Sequence, residues 1–86
     1  MKFKIFLHKK ALKELNTYPS NIRKRIIKSL KEMSEAPLRS DIRPVKNLKG
    51  VFRKRIGEYR IFFTIDFKAN IIIILQIKHR KQAYKI

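Results

Sequence analysis

The sequence predicts an α+β domain of order β-α-α-β-β-β, with an αα-hairpin packed on one face of a mainly antiparallel four-stranded sheet. Three observations carry this expectation. Strand-like alternation opens the chain, two stretches of helical periodicity follow with a single Pro between them, and three further strand-like runs fill the second half. With 86 residues the chain has room for one domain, spanning 1–86. A chain this short buries only about 60–65% of its unfolded surface on folding, so the core must be modest.

Residues 2–8 alternate, with Phe3, Ile5 and Leu7 on one side and Lys2, Lys4, Phe6 and His8 on the other, which predicts the first strand. From Lys9 onward Ala11, Leu12 and Leu15 recur at helical steps, and Tyr18 continues the stripe until Pro19 stops it. Ser20 is a candidate N-cap for a second helix, in which Ile22, Ile26, Ile27, Leu30 and Met33 form an apolar face. That helix should end near Ala36, before Pro37. Only the Tyr18-Pro19-Ser20 punctuation separates the two helices, so they form a hairpin. Residues 37–50 contain Pro37 and Pro44 and read as a connecting loop. Strands are expected at 51–56, 59–67 and 71–78, followed by a short polar tail.

Cysteine is absent, so neither disulfides nor thiolate metal sites reinforce the core. The two His are far apart in sequence, and no metal or other cofactor is expected. The chain opens without a basic stretch leading into a long apolar run, so no signal peptide is expected. The longest uninterrupted apolar run, Ile71 to Leu75, falls far short of the ~20 residues of a transmembrane helix. These features predict a soluble, cytoplasmic protein with no membrane partner.

Charge is the dominant feature. Twenty-three Lys and Arg stand against six Asp and Glu, for a net +17, an excess that implies a polyanionic partner, nucleic acid first. The second helix carries Arg23, Lys24, Arg25, Lys28 and Lys31 on its polar side. That run is either a solvated helix face or a surface for RNA or a protein partner.

Hairpin arithmetic places the remaining charges. Ile56-Gly57-Glu58-Tyr59 has the signature of a two-residue type II′ turn, with Gly at the first central position. Ile56 then pairs with Tyr59, Arg55 with Arg60, Lys54 with Ile61, Arg53 with Phe62 and Phe52 with Phe63. One face carries Phe52, Ile56, Tyr59, Ile61, Phe63 and Ile65, interrupted only by Lys54, and should be covered by the helices. Arg53, Arg55, Arg60, Phe62 and Thr64 share the other. Like charges directly opposite each other cost roughly 0.2–1 kcal/mol, which points to an anion that visits them. A three-residue loop of Lys68, Ala69 and Asn70 would set Phe67 opposite Ile71, Ile65 opposite Ile73, Phe63 opposite Leu75 and Arg60 opposite Lys78. Arg53, Arg55, Arg60, Lys78 and Arg80 then converge near one end of the sheet.

At this point the residues resemble a known family. Ala11-Leu12-Lys13-Glu14-Leu15, Leu48-Lys49-Gly50, the hairpin from Phe52 to Ile61, and Ile77-Lys78-His79-Arg80-Lys81-Gln82-Ala83-Tyr84 occur in the order seen in the RelE/ParE toxin superfamily. The resemblance spans nearly the whole chain. It implies a RelE-like fold and a toxin of a type II toxin–antitoxin system, a ribosome-dependent endoribonuclease acting on mRNA and restrained by an acidic, RelB-like antitoxin. It maps the active-site roles onto Arg53, Arg55, Arg60, Arg80 and Tyr84; the chemistry of His79 makes it an alternative acid or base. Lys54, Lys78, Lys81, Arg23, Lys24 and Lys28 are expected to contact RNA. One departure has chemical weight: the best-known branch has lysine at the two second-strand positions that are Arg53 and Arg55 here. Arginine keeps its proton far above neutral pH, so neither is a general base.

Metal-free RNA cleavage needs a base for the 2′-OH, cations for the phosphorane charge and an acid for the 5′-oxygen. Tyr84 and His79 are the candidates from this chain, although a hydrogen-bonding structural role suits His79 at least as well. Of the six acids only Glu58, in the turn, falls near the cations. A ParE-like inhibitor of DNA gyrase without nuclease activity would share this fold. A non-catalytic RNA-binding protein needs only the charge.

Overall fold

The computed structural model describes residues 2–38 and 41–83. Within them the chain runs β1 (Lys4–Leu7), α1 (Lys9–Thr17), α2 (Ser20–Glu35), β2 (Ile42–Pro44), β3 (Phe52–Ile56), β4 (Tyr59–Asp66), β5 (Ile71–His79) and α3 (Arg80–Ala83). The strands form one five-stranded sheet in the order β1-β5-β4-β3-β2. β1 is parallel to β5 and the other pairings are antiparallel.

The α+β layering is as expected, with two additions. Part of the segment read as a loop forms β2, which takes the sheet edge beside β3. Three residues are too few to show a period, and Pro44 at its end lacks the N–H of a ladder residue, which an edge strand tolerates. The expected polar tail begins with α3.

His8 caps α1, its Nδ1 accepting from the Lys10 N–H at 3.2 Å. Ser20 is the first residue of α2 rather than its cap. Pro19 occupies the cap position at φ −57° and ψ 154°, with no side-chain cap bond. The helix stops at Glu35 because Ala36 precedes Pro37 and is driven out of helical geometry, at φ −146° and ψ 79°. The helices deliver Ala11, Leu15, Ile26, Leu30 and Met33 to a core completed by Ile61, Phe63, Ile72, Ile74 and Ile77. Ile27, expected on the apolar face of α2, is exposed, and Ser29 is buried instead.

The β3–β4 register is the expected one, from Ile56 opposite Tyr59 to Phe52 opposite Phe63. Gly57 has φ 56° and Glu58 is not in the positive-φ region, as a type II′ turn requires. The β4–β5 register departs from expectation over half its length. Asp66 Oδ1 accepts from the N–H groups of Lys68 and Ala69, each at 3.0 Å, and Asn70 sits at φ 54°, so the turn holds four residues. Asp66 therefore faces Ile71, Ile65 faces Ile72 and Phe63 faces Ile74, replacing the expected pairs of Phe67 with Ile71, Ile65 with Ile73 and Phe63 with Leu75. An irregularity between Phe62 and Phe63 absorbs the extra residue, after which Phe62 faces Gln76 and Arg60 faces Lys78, as expected. This bulge changes the parity of β5, so that Ile72, Ile74 and Ile77 all reach the core.

β1 pairs with β5 only as far as Ile74. Beyond that point α1 covers the strand, and its side chains take the place of a neighbouring strand. Glu14 Oε1 accepts from the Ile77 N–H at 2.9 Å, and the Tyr18 hydroxyl donates to the Ile77 carbonyl at 2.6 Å. The other Glu14 oxygen pairs with the Lys78 ammonium. Burial, then the Glu14 carboxylate, then Tyr59, push the Tyr18 phenol up to about 12.

Glu14→Ala is expected to destabilise the fold by roughly 3 kcal/mol, because it leaves a mostly buried ammonium and the Ile77 N–H without their partner. Tyr18→Phe should cost about 1 kcal/mol. Urea unfolding measures both, and near-wild-type midpoints would refute the edge-covering role. The phenol also sets a pH dependence. Because its native pKa lies above its ordinary 10.0, the stability it contributes is complete below pH 10 and is lost as pH rises toward 12. The difference in unfolding midpoint between wild type and Tyr18→Phe should therefore shrink across that interval.

Candidate nucleic-acid interface

Strand pairing assembles the arginines on the helix-free face. Arg55 stands opposite Arg60 on β3 and β4, and Arg53 stands opposite Arg43 on β2. Arg43 is absent from the expected cluster because its segment carries two prolines and reads as a loop in sequence. Ile42 turns toward the core and Arg43 is exposed, a single step too short to register as a strand period. Arg43, Arg53 and Arg55 are exposed and, among the described residues, form no ion pair. With Asp41, they line a cavity of about 210 Å³. Arg60 differs from them: it is 8% exposed, and its guanidinium donates to the Tyr59 carbonyl at 3.3 Å.

The C-terminal cations are held by acids. Arg60 and Lys78 are register partners, yet the Lys78 ammonium is drawn to Glu14 at the β5 edge. Glu58 anchors the start of α3. Its carbonyl accepts from the Arg80 N–H at 2.6 Å, and its carboxylate lies 3.9 Å from Arg80 Nε and 3.4 Å from His79 Nε2. His79 Nδ1 accepts from the Lys81 N–H at 3.3 Å, and its ring packs edge-on to Tyr59 at 5.2 Å. Both ring nitrogens thus have structural partners, and the Lys81 side chain is exposed. Tyr84 lies outside the described residues.

The remaining candidates are distributed elsewhere. Lys54 is buried at 4% exposure on the helix-covered face and pairs with Asp41 at 3.3 Å, so it does not join the free-face cluster. Arg23 ties the helical hairpin together by donating to the Tyr18 carbonyl at 2.8 Å. Lys24 and Lys28 are exposed on α2, and Lys28 lines a cleft between α2 and β3.

The arginine face also has an apolar margin. The connection between β2 and β3 turns through Asn47 at φ 70° and Gly50 at φ 79°. It brings Leu48 and Val51 over Phe62, Leu75 and Gln76 around a slot of about 60 Å³. Phe62 is consequently buried although its parity points to the free face. Guanidinium groups beside an apolar slot suit a ligand that combines phosphate oxygens with a flat ring. Among the described residues, no three His, Cys, Asp or Glu stand together in a way that could hold a metal ion.

Comparison with known proteins identifies the family. The model of the ParE toxin of type II toxin–antitoxin systems matches residues 5–84. The RelE1 protein of Methanocaldococcus jannaschii is 34% identical over 99% of this chain and 98% of its own, and toxin RelE3 of the same organism is 33% identical over 94% of each. Among solved structures, the RelBE2 toxin–antitoxin complex of Mycobacterium tuberculosis contains a chain that superposes with a TM-score of 0.84 at 27% identity, covering 93% of this chain and 100% of that one. On the family model and these relatives, the chain belongs to the RelE/ParE superfamily as a RelE-like toxin of the type II toxin–antitoxin class.

Proposed function

We propose that this toxin is a ribosome-dependent endoribonuclease that cleaves mRNA through attack of a ribose 2′-OH on the adjacent phosphate. The observation that carries the reading is the in-register set Arg43, Arg53, Arg55 and Arg60, with Arg80 at the end of β5. A set of mutually repelling guanidinium groups is stabilised by an anion, and most of all by the phosphorane, whose extra negative charge exists only in the transition state. Guanidinium groups stay protonated, so they bind and polarise the phosphate without removing a proton. Removal of the 2′-OH proton falls to Tyr84, to His79 or to ribosomal RNA. The carboxylates nearest the free face, Asp41 and Glu58, pair with Lys54 and with His79 and Arg80, which favours a route without metal ions.

Regulation follows from the same charge. The similar solved structures include the RelBE2 complex and a RelB–RelE antitoxin–toxin complex from Methanococcus jannaschii, 29% identical. The partner of this chain is an acidic RelB-like antitoxin in the cytoplasm, and binding to a +17 chain weakens as salt rises. A gyrase-directed activity is the second reading, because the matching family model is described by the ParE toxin.

Expression of the chain without an antitoxin should stop translation and leave cleaved mRNA, detected by primer extension. Growth arrest with intact mRNA and inhibited gyrase would instead establish the second reading. Arg55→Ala and Arg80→Ala should each lower cleavage by about 10²–10³ while changing stability by no more than about 0.5 kcal/mol, since both side chains are exposed. Fully active folded variants would remove these residues from the site.

Tyr84→Phe tests the proton route. Single-turnover cleavage should fall strongly while ribosome binding, dominated by phosphate contacts, barely changes, and His79→Gln should be mild. The expected products carry a 2′,3′-cyclic phosphate and a 5′-hydroxyl. Products with a 5′-phosphate would sink the 2′-OH mechanism.

A further inference from the structure

A second polar cleft, of about 360 Å³, lies between α2 and the β3–β4 hairpin. Lys54 and Arg55 reach it from β3, and Arg25 and Lys28 from α2. Lys54 is the anomaly of the fold, an ammonium 4% exposed on a strand face that is otherwise apolar. An ammonium so placed needs anionic company. Asp41 supplies one carboxylate at 3.3 Å, itself half exposed. Ser29 also lines the cleft, and its buried hydroxyl has no hydrogen-bond partner. The Arg25 guanidinium lies against the hairpin turn, so close that a Cβ on Gly57 would stand 3.0 Å from it. Among the described residues Arg25, Lys28 and Arg55 form no ion pair. The cleft is thus lined by four basic residues, Arg25, Lys28, Lys54 and Arg55, and two acidic ones, Glu32 and Asp41.

The cleft is continuous with the arginine face. Arg55 and Asp41 line both this cleft and the cavity shared by Arg43 and Arg53. We propose that the cleft is a second phosphodiester subsite, which holds a backbone phosphate of the RNA after the strand has passed around the β2–β3 side of the sheet. This inference rests on the reading that RNA occupies the free face, and it adds the path the strand takes beyond the scissile phosphate. A carboxylate-rich protein segment has some of the same chemistry. Continuity with the arginine face through Arg55 favours the phosphodiester.

The test is a titration of the ¹⁵N-labelled full chain with inorganic phosphate and with a 2′-O-methyl oligoribonucleotide, following the Arg25 side-chain Nε–H and the Ser29 amide. Both ligands should shift these signals saturably. Arg25→Gln combined with Lys28→Gln should weaken phosphate binding about tenfold or more, the loss expected for removing charge-assisted hydrogen bonds. Glu32→Gln, on the exposed side of α2, should strengthen it about two- to threefold by removing a like charge. Shifts confined to Arg43 and Arg53, or affinity unchanged in all these variants, would overturn the subsite. So would displacement of phosphate by oligoglutamate but not by the oligoribonucleotide, which would assign the cleft to an acidic protein. Cleavage is not required for any of these readouts. A chain that binds phosphate in the cleft and cuts no RNA would refute the nuclease reading alone.

Discussion

The backbone of Ile77 holds the two layers of the molecule in register. Its N–H and carbonyl face outward where β1 has ended, and Glu14 and Tyr18 of α1 satisfy them as a strand would. An unpaired buried peptide group costs about 1–3 kcal/mol, so this arrangement fixes where α1 lies along β5. The same carboxylate takes the Lys78 ammonium. The end of β5 is thereby set, and the chain leaves it at Arg80 beside the hairpin turn, where Glu58 receives the Arg80 N–H.

The scarcity of acids shapes the surface. Of the six, Glu14, Glu35, Asp41 and Glu58 pair with cations, and Asp66 closes the β4–β5 turn. Glu32 lines the cleft beside α2. The acids near the sheet therefore order Lys54, Lys78, His79 and Arg80, while Arg43, Arg53 and Arg55 on the open face form no ion pair among the described residues. Cations that the fold itself does not neutralise stay available to an anion from outside. The arginine face is positive because the carboxylates are engaged elsewhere, as well as because arginines are gathered there.

Local pattern made much of this legible. The two-residue turn at Gly57 and Glu58 fixed the β3–β4 register, and with it the meeting of Arg55 and Arg60. The same parity put Lys54 on the covered face, though not its pairing with Asp41. The β4–β5 pairing was readable only from Tyr59 to Phe62, because a four-residue turn and a bulge each displaced the register and cancelled beyond Phe62. Neither alters the hydrophobic pattern enough to be seen in sequence.

By itself the sequence determined the layer order, the helical hairpin, the turn at Gly57 and the excess of positive charge, since each depends on neighbours within a few residues or on composition. Tertiary structure alone decided which cations stand unpaired. Glu14 meets Lys78 across 64 positions and Asp41 meets Lys54 across 13, and no local period encodes either encounter. β2 likewise exists only because β3 offers it a ladder, and with it Arg43 joins the face. An ion pair or an edge strand forms when the whole sheet has closed, and for that reason the site's charge pattern had to be read from the fold.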